Sequence, residues 1–182
     1  MRRAIVSRDH ILNRFRNLLY FGLRYPWVTR GRNVHVQWST TMWSPHRRVV
    51  IGDDVGIGRH CTIQCDLRIG SKVLIASSVA FVGSDDHLFD RVGVPIWDSG
   101  RGDTRETVVE DDVWIGFGAI ILSGARIGRG SVIAAGSVVV GDVPPYSIVI
   151  PQKARRLRSR FSEADIVRHD AALRSCGLAR DP

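Results

Sequence analysis

The chain has 182 residues, a length typical of one domain, and its hydrophobic fraction of 44% is that of a folded protein rather than a disordered one. No apolar run approaches the roughly 18 residues that a membrane-spanning helix needs. The net charge of +8 is concentrated at the ends, because residues 1–48 contain ten arginines and one acid whereas residues 49–150 are acidic overall. Basic ends favour polyanionic cofactors, anionic membrane surfaces or nucleic acid.

Residues 1–30 are predicted to form a basic N-terminal helical segment. The pattern has a cap at Ser7 or Asp9 and apolar residues at helical spacing, namely Ile11, Leu12, Phe15, Leu18 and Leu19. Arg14 and Arg16 interrupt the apolar run and no small-residue cleavage site follows, so we expect a retained segment rather than a signal peptide. This helix either only covers one end of the fold or also makes a weak contact with a membrane surface.

Residues 31–150 are predicted to form a β-solenoid. From Ile51 to Phe81, and again from Val109, an aliphatic residue or Phe returns at every sixth position, and small or β-branched residues prevail at the fifth. A helix would require apolar spacings of three and four, and a plain strand would require alternation. The period of six favours a parallel β-helix, in which three short strands form one coil and the first-position side chains fill the interior.

Residues 87–108 interrupt this period. Solenoids carry insertions on their binding face, and a long loop in a compact domain is usually functional. His87 begins the insertion, and its imidazole could accept a proton near neutral pH. From the residues alone, His87 is as compatible with an ordinary surface histidine as with a functional one.

Residues 151–182 are predicted to be a basic tail with a helix at about 162–176. Ser162 and Asp165 provide a start similar to a capping box, and Gly177 provides a stop. The fold class is therefore an all-β solenoid with short α-helices flanking both ends.

The cysteines indicate a reducing environment. Three are present, Cys61, Cys65 and Cys176, and their spacing matches no metal-binding cluster. We expect reduced thiols in a cytoplasmic protein without a metal site.

The twelve hexads in register, together with the segment VVEDDVWIGFGAIILSGARIGRGSVIAAGSVVVGDVPPYSIV, resemble the hexapeptide-repeat acyltransferases. The resemblance covers residues 50–158 and implies a left-handed parallel β-helix. The string HLFDRVGVPIWDSG is similar to a segment of acetyltransferases of polysaccharide pathways. The resemblance implies an acetyl-CoA-dependent O-acetyltransferase acting on a hydroxyl of a sugar or a cell-surface polysaccharide precursor, in the cytoplasm or peripherally at the inner face of the membrane.

The resemblance also implies catalytic roles. His87 would be the general base that removes the proton of the acceptor hydroxyl. Asp90 or Asp86 would orient the imidazole, with Asp85 a third candidate, and the residues do not decide among them. The backbone amide of Phe117 would stabilise the oxyanion of the tetrahedral intermediate.

The cofactor-binding residues implied by the family are spread over the later coils: Trp114, Gly116, Gly118, Ala135, Gly136, Lys153 and Arg155. Two stretches depart from the family pattern, Val140-Gly141 and 151–154, where relatives bind the nucleotide end of CoA. Lys153 and Arg155 would supply positive charge to the phosphates there.

The insertion supplies the expected acceptor site, in which Trp97 would stack on a sugar and Asp98 and Arg101 would bind its hydroxyls. Relatives bind CoA between subunits, so a homotrimer is expected, without nucleic acid. The histidines lack the paired spacing of the zinc hydratases that share this solenoid. Two alternatives remain, a serine O-acetyltransferase-like enzyme and a non-catalytic solenoid scaffold.

Overall fold

The computed structural model describes residues 17, 19–83, 87–103, 105–151 and 162–175. Its strands are two or three residues long, because the chain turns a corner after each one. The strands are β1 (Thr29–Arg30), β2 (His35–Val36), β3 (Thr41–Met42), β4 (Val49–Ile51), β5 (Gly56–Ile57), β6 (Thr62–Ile63), β7 (Leu67–Ile69), β8 (Leu74–Ile75), β9 (Ala80–Val82), β10 (Thr107–Val109), β11 (Trp114–Ile115), β12 (Ile120–Leu122), β13 (Arg126–Ile127), β14 (Val132–Ile133), β15 (Val138–Val139) and β16 (Ile148–Val149). The helical elements are a π-helical turn (Tyr20–Arg24), a 3-10 turn (Ile96–Asp98) and helix α1 (Glu163–Ser175).

The strands form three parallel sheets, because each strand pairs with the strand three positions further along the chain, except that β14 pairs with β16. Sheet A has the order β1-β4-β7-β10-β13, sheet B has β16-β14-β11-β8-β5-β2, and sheet C has β15-β12-β9-β6-β3. Strands β7 and β10 pair with Arg68 opposite Val108, so the ladder of sheet A continues across the insertion. This is the left-handed parallel β-helix expected from the sequence.

The first positions of the hexads fill the interior, as predicted. All twelve are exposed by 4% or less: Ile51, Ile57, Ile63, Ile69, Ile75, Phe81, Val109, Ile115, Ile121, Ile127, Ile133 and Val139. The side chains at these positions, eleven aliphatic and one Phe, therefore stack into one continuous core, and no coil buries its apolar face alone.

The fifth positions that the structure describes are also buried, including the serines among them. Ser131 and Ser137 are exposed by 0% and 1%. Their hydroxyls donate to Pro144 O at 3.0 Å and to Val149 O at 3.3 Å, which offsets the cost of burying them. Cys61 and Cys65 are buried in the same core without a disulfide between them, whereas Cys176 lies outside the described residues.

The corners of the coils require left-handed backbone. Between sheets A and B the same corner position is taken by Asp54 (φ 56°) and Lys72 (φ 61°), and between sheets B and C by Ser78 (φ 61°) and Gly118 (φ 66°). A left-handed backbone costs a non-glycine residue about 1–2 kcal/mol, and the packing of the neighbouring coils stabilises these corners against that cost. Lys72 offsets part of this cost through its ion pair with Asp54 in the coil below.

The chain divides into two compact units. The solenoid unit lies within Met1–Ser84 and Thr104–Gln152, and the loop unit lies within Asp85–Asp103 and Lys153–Pro182. The first solenoid strand begins at Thr29, two residues before the predicted start at residue 31. After the insertion the strands resume at Thr107, two residues before Val109, where the period predicts them to resume. Of the predicted N-terminal helix, only Asn17 and Leu19 are described before the π-helical turn, and the rest of that part lies outside the described residues.

The loop unit combines part of the insertion with helix α1. Ser162 caps α1 as predicted, since its hydroxyl accepts a hydrogen bond from the Asp165 amide at 3.2 Å. Gly93 packs against this helix, because a Cβ on it would lie 3.9 Å from the Cβ of Ala172. Helix α1 therefore supports the insertion that contains His87.

Candidate active site

The corner between sheets B and C holds most of the predicted cofactor-binding residues. Trp114 begins β11 and is 55% exposed, between Leu74 and Val132 of the neighbouring coils. Phe117 follows at the corner and is 60% exposed. Two large aromatic side chains therefore stand on the surface of the solenoid within one coil.

Two successive coils meet closely at this corner. A Cβ on Gly116 would lie 2.6 Å from the amide nitrogen of Ala135, so only glycine fits there. The Gly136 amide donates to Phe117 O at 2.8 Å. Gly118 and Gly136 both have positive φ, with nothing within 4 Å of an added Cβ. The structure therefore brings together six predicted residues: Trp114, Gly116, Phe117, Gly118, Ala135 and Gly136.

The backbone of Phe117 offers an unused donor. Its amide donates no hydrogen bond to any residue within the described ranges, whereas the amides of Gly116 and Gly118 donate to Ile133 O at 2.7 Å and Ser77 O at 3.1 Å. An outward N–H at an exposed corner can stabilise a developing negative charge on a bound ligand.

His87 lies in the loop unit at the base of the insertion, with its side chain exposed. The next residue, Leu88, is hydrogen-bonded across the loop, since its N–H donates to Gly100 O at 3.1 Å. Ser99 is 1% exposed, and its hydroxyl lies within hydrogen-bond distance of Leu88 O and of Ile96 O. These bonds close the loop beside His87 and fix the backbone that presents its imidazole.

Among the described residues, no carboxylate is bonded to the imidazole of His87. Within residues 87–103, no hydrogen bond joins Asp90 to His87, and Asp90 is exposed. Asp86 and Asp85 lie outside the described residues, as do the predicted phosphate contacts Lys153 and Arg155.

The predicted acceptor residues form an exposed turn in the loop unit. Trp97 and Asp98 belong to the 3-10 turn, and Trp97 is 88% exposed. Arg101 follows and is also exposed. A tryptophan so accessible on a closed loop is available to stack on a planar or sugar ligand.

A second histidine that sequence reasoning missed is held by a buried carboxylate. His46 Nδ1 lies 2.6 Å from Asp66 Oδ2, and Asp66 is 4% exposed. Burial raises the pKa of Asp66, but hydrogen bonds from Ser44 and His46 outweigh burial, and the net pKa is lowered. No sequence signal identifies this pair, because Asp54 and Asp112 occupy the same hexad position as Asp66 and are not buried.

A groove of about 610 Å³ lies on sheet A, away from the predicted residues. Its charges are paired within it, Arg68 with Glu106 at 3.4 Å and Arg126 with Glu110. Hydrogen bonding of the Arg129 amide and Arg126 lowers the pKa of Glu110. Most of the charges of this groove are paired, although Asp111 and Arg129 also line it, and the groove is therefore a weaker candidate than the corner between sheets B and C.

No group of three or more His, Cys, Asp or Glu side chains within the described ranges is placed to hold a metal ion. Among the helices that the structure describes, none is long and apolar enough to span a bilayer.

Comparison with known proteins identifies the family. Residues 106–141 match the family profile "Bacterial transferase hexapeptide (six repeats)". The crystal structure of a hexapeptide-repeat-containing acetyltransferase from Vibrio cholerae is 30% identical, covers 86% of this chain and 84% of its own, and superposes with a TM-score of 0.55. The chain belongs to the hexapeptide-repeat acyltransferase family.

Two further proteins resemble the chain, one over part of its own length and one mainly in fold. A probable acetyltransferase of Mycobacterium tuberculosis is 34% identical over 71% of this chain and 43% of its own length. The chain spans about half the length of the curated relatives it matches. An N-acyltransferase from Bacillus cereus, solved with dTDP and 3-hydroxybutyryl-CoA, is 18% identical over 84% of this chain and 82% of its own, with a TM-score of 0.56, and shows the shared fold.

Proposed function

We propose that this hexapeptide-repeat acyltransferase is an acetyl-CoA-dependent O-acetyltransferase whose acceptor is a hydroxyl of a sugar or of a cell-surface polysaccharide precursor. The observation that carries this proposal is the insertion after β9. It presents an exposed histidine, His87, on a loop whose backbone is closed by Ser99 and which carries the exposed Trp97. A solenoid that served only as a scaffold would not require a buried serine to order this loop.

In this reaction His87 accepts the proton of the acceptor hydroxyl while the hydroxyl oxygen attacks the carbonyl carbon of the thioester. The Phe117 amide donates to the oxygen that becomes negative. The intermediate then expels the CoA thiolate, which takes the proton back from the imidazole. The oxygen–acetyl bond forms, the sulfur–acetyl bond breaks, and the proton ends on the CoA thiol.

Acetyl-CoA is supported as co-substrate by the corner between sheets B and C. Trp114 gives an apolar wall for the pantetheine arm, and the small residues Ala135 and Gly136 are both exposed beside it. Lys153 and Arg155 would pair with the phosphates. The acyl-CoA bound by the Bacillus cereus relative is consistent with this assignment.

A saccharide acceptor is supported by the chemistry of the loop. Trp97 offers a large exposed ring for stacking, and Asp98 and Arg101 offer a hydrogen-bond acceptor and donors. The dTDP bound by the Bacillus cereus relative adds support for an acceptor related to a nucleotide sugar.

A homotrimer is supported by the outer faces of the sheets. Sheets B and C expose apolar side chains in the later coils, whereas sheet A exposes Arg68 and Arg126. The apolar residues are Leu74, Trp114, Ile148, Ile120 and Val138. Two adjacent apolar faces allow the B face of one protomer to pack on the C face of the next, which closes into a ring.

The test is release of CoA thiol from acetyl-CoA with a panel of sugars, nucleotide sugars and oligosaccharides, with serine included. His87→Asn should lower kcat/KM by about 10²–10⁴-fold, the usual contribution of a general base. The matched control is His60→Asn, because His60 is an exposed solenoid histidine whose left-handed backbone (φ 56°) suits asparagine.

The outcomes separate the alternatives. Turnover with serine but with no saccharide would favour the serine O-acetyltransferase-like alternative. Wild-type protein that neither binds CoA nor releases thiol would favour the scaffold. Equal activity of His87→Asn and His60→Asn would remove His87 from the reaction.

A further inference from the structure

The N-terminal end of the solenoid unit carries a surface that the proposed reaction does not use. We call it the basic–aromatic end, and it consists of Leu23, Arg24, Trp38, Trp43, Arg47 and Arg48. Leu23 exposes 78% of its area, and Trp38 and Trp43 expose 50% and 51%. Large apolar side chains exposed together on one region of a folded protein indicate an interaction surface.

Contacts within the first coil hold this surface in place. The Arg24 guanidinium lies 5.9 Å from the centre of the Trp38 ring and donates to Trp38 O at 3.3 Å. The buried Tyr20 stacks edge-on against Trp38 at 5.8 Å and donates its hydroxyl to Thr40 O at 2.7 Å. The side chains of Arg24 and Trp38 are therefore held in place by contacts within the first coil.

The second half of the basic–aromatic end is a tight turn. Trp43 follows β3, and the Arg47 amide closes the next turn by donating to Ser44 O at 3.1 Å. The Arg48 amide donates to Ser44 Oγ at 2.8 Å. Arg47 and Arg48 are thus held by hydrogen-bonded backbone four and five residues after the exposed Trp43.

The positive charge here is only partly balanced. Asp53 pairs with Arg32 at 2.9 Å and Asp54 pairs with Lys72. Asp66 is bound by Ser44 and His46 within the turn that carries Arg47 and Arg48, and it is the one acid of the first two coils bound there among the described residues. Within the described ranges, no ion pair involves an arginine of the basic–aromatic end. Residues 1–16, which precede it, contain five arginines and one acid, so the sequence adds further positive charge.

We propose that the basic–aromatic end docks the protein on an anionic phospholipid bilayer. Tryptophan is favoured at the headgroup level of membranes, and arginines there gain energy from anionic headgroups. A second copy of the chain is a poorer occupant, because the same positive charges would face each other. Nucleic acid would engage the arginines but leaves the exposed aliphatic Leu23 without a role. This inference is independent of the acetyltransferase proposal.

The test is flotation of the purified chain with vesicles of phosphatidylcholine alone or with about one quarter phosphatidylglycerol. Three arginines at the surface predict a preference for the anionic vesicles of roughly a hundredfold, which should fall steeply in about 0.5 M salt. Trp43→Ser with Leu23→Ser should weaken partition to both vesicle types. Tyr146→Ser is the matched control, because Tyr146 is a 72% exposed aromatic residue in the last coils of the solenoid.

Charge is tested separately. Arg47→Ser with Arg48→Ser should weaken binding to the anionic vesicles roughly thirtyfold. The control is Arg105→Ser with Arg129→Ser, which removes the same charge from exposed positions in the later coils of the solenoid unit and should change binding much less. Circular dichroism shows whether each variant is folded. If a variant is not folded, the dependence of wild-type binding on vesicle composition and salt tests the proposal instead.

Several results would overturn the proposal. These are equal partition to both vesicle types, no flotation at all, or equal losses in the control variants. Binding to a DNA or RNA oligonucleotide without binding to vesicles would assign the basic–aromatic end to nucleic acid instead.

Discussion

Substitution of Gly116 tests the packing of successive coils most directly. The Gly116 amide is bonded to Ile133 O at 2.7 Å, and a Cβ would lie 2.9 Å from that oxygen and 2.6 Å from Ala135 N. Both atoms are backbone, so alanine can be accommodated only by separating two hydrogen-bonded coils. Overpacking typically costs 1–3 kcal/mol, and we expect Gly116→Ala to lower the free energy of unfolding by about 3 kcal/mol because no flexible side chain can yield.

Two neighbouring substitutions provide graded controls. Gly118 has φ 66° and open space around it, so Gly118→Ala meets only backbone strain. That strain costs about 1–2 kcal/mol and is partly offset by the lower entropy of the unfolded chain, leaving a loss of about 0.5–1 kcal/mol. Gly141 has open space and no left-handed φ, so Gly141→Ala should stabilise by about 0.4–1 kcal/mol.

Urea unfolding followed by circular dichroism, at one protein concentration for all variants, measures the three free energies. The order expected is Gly141→Ala above wild type, then Gly118→Ala, then Gly116→Ala. If Gly116→Ala unfolded with the wild-type midpoint, the close stacking at this corner would be refuted.

Three further results are expected. Asp66→Asn should lower the free energy of unfolding by about 1–3 kcal/mol at pH 7. Because the folded-state pKa of Asp66 is lowered, the stability that its carboxylate contributes is complete above the unfolded pKa near 3.9 and is lost as the pH falls through the folded-state pKa. The urea midpoints of variant and wild type should therefore converge in acid. Val138→Asp places a carboxylate on the apolar face of sheet C and should convert trimer to monomer in light scattering, whereas Val108→Asp on sheet A should not; a monomeric wild type would contradict the trimer. Ile121→Ala should lower the free energy of unfolding by about 2–5 kcal/mol, and a loss below 1 kcal/mol would contradict its complete burial.

The core of the solenoid could be predicted because the six-residue period of apolar residues determines which side chains face the interior. A side chain such as Ile121 points inward for the same reason as Ile115 and Ile127, and all three are 0% exposed. The corner residues Trp114, Phe117 and Ala135 were predicted by resemblance, and the stacking of coils explains why residues so far apart in sequence meet.

The pairings between coils could not be predicted. His46 and Asp66 meet because the pairing of β3 with β6 and of β4 with β7 places their corners one above the other. His46 precedes the first regular hexad, and the hexad pattern gives Asp66 the same position as the less buried Asp54. The partner of His87 depends on loop backbone that follows no period, so neither pattern nor spacing distinguishes Asp86 from Asp90.

The strands on the two sides of the insertion have a consequence for how such a protein can diversify. Because β9 before the insertion and β10 after it each pair within a continuous parallel sheet, doubling the length of the insertion would add only about 0.6 kcal/mol of closure entropy. The proposed acceptor site can therefore change through exchange of one surface segment, at almost no cost to the stability of the solenoid.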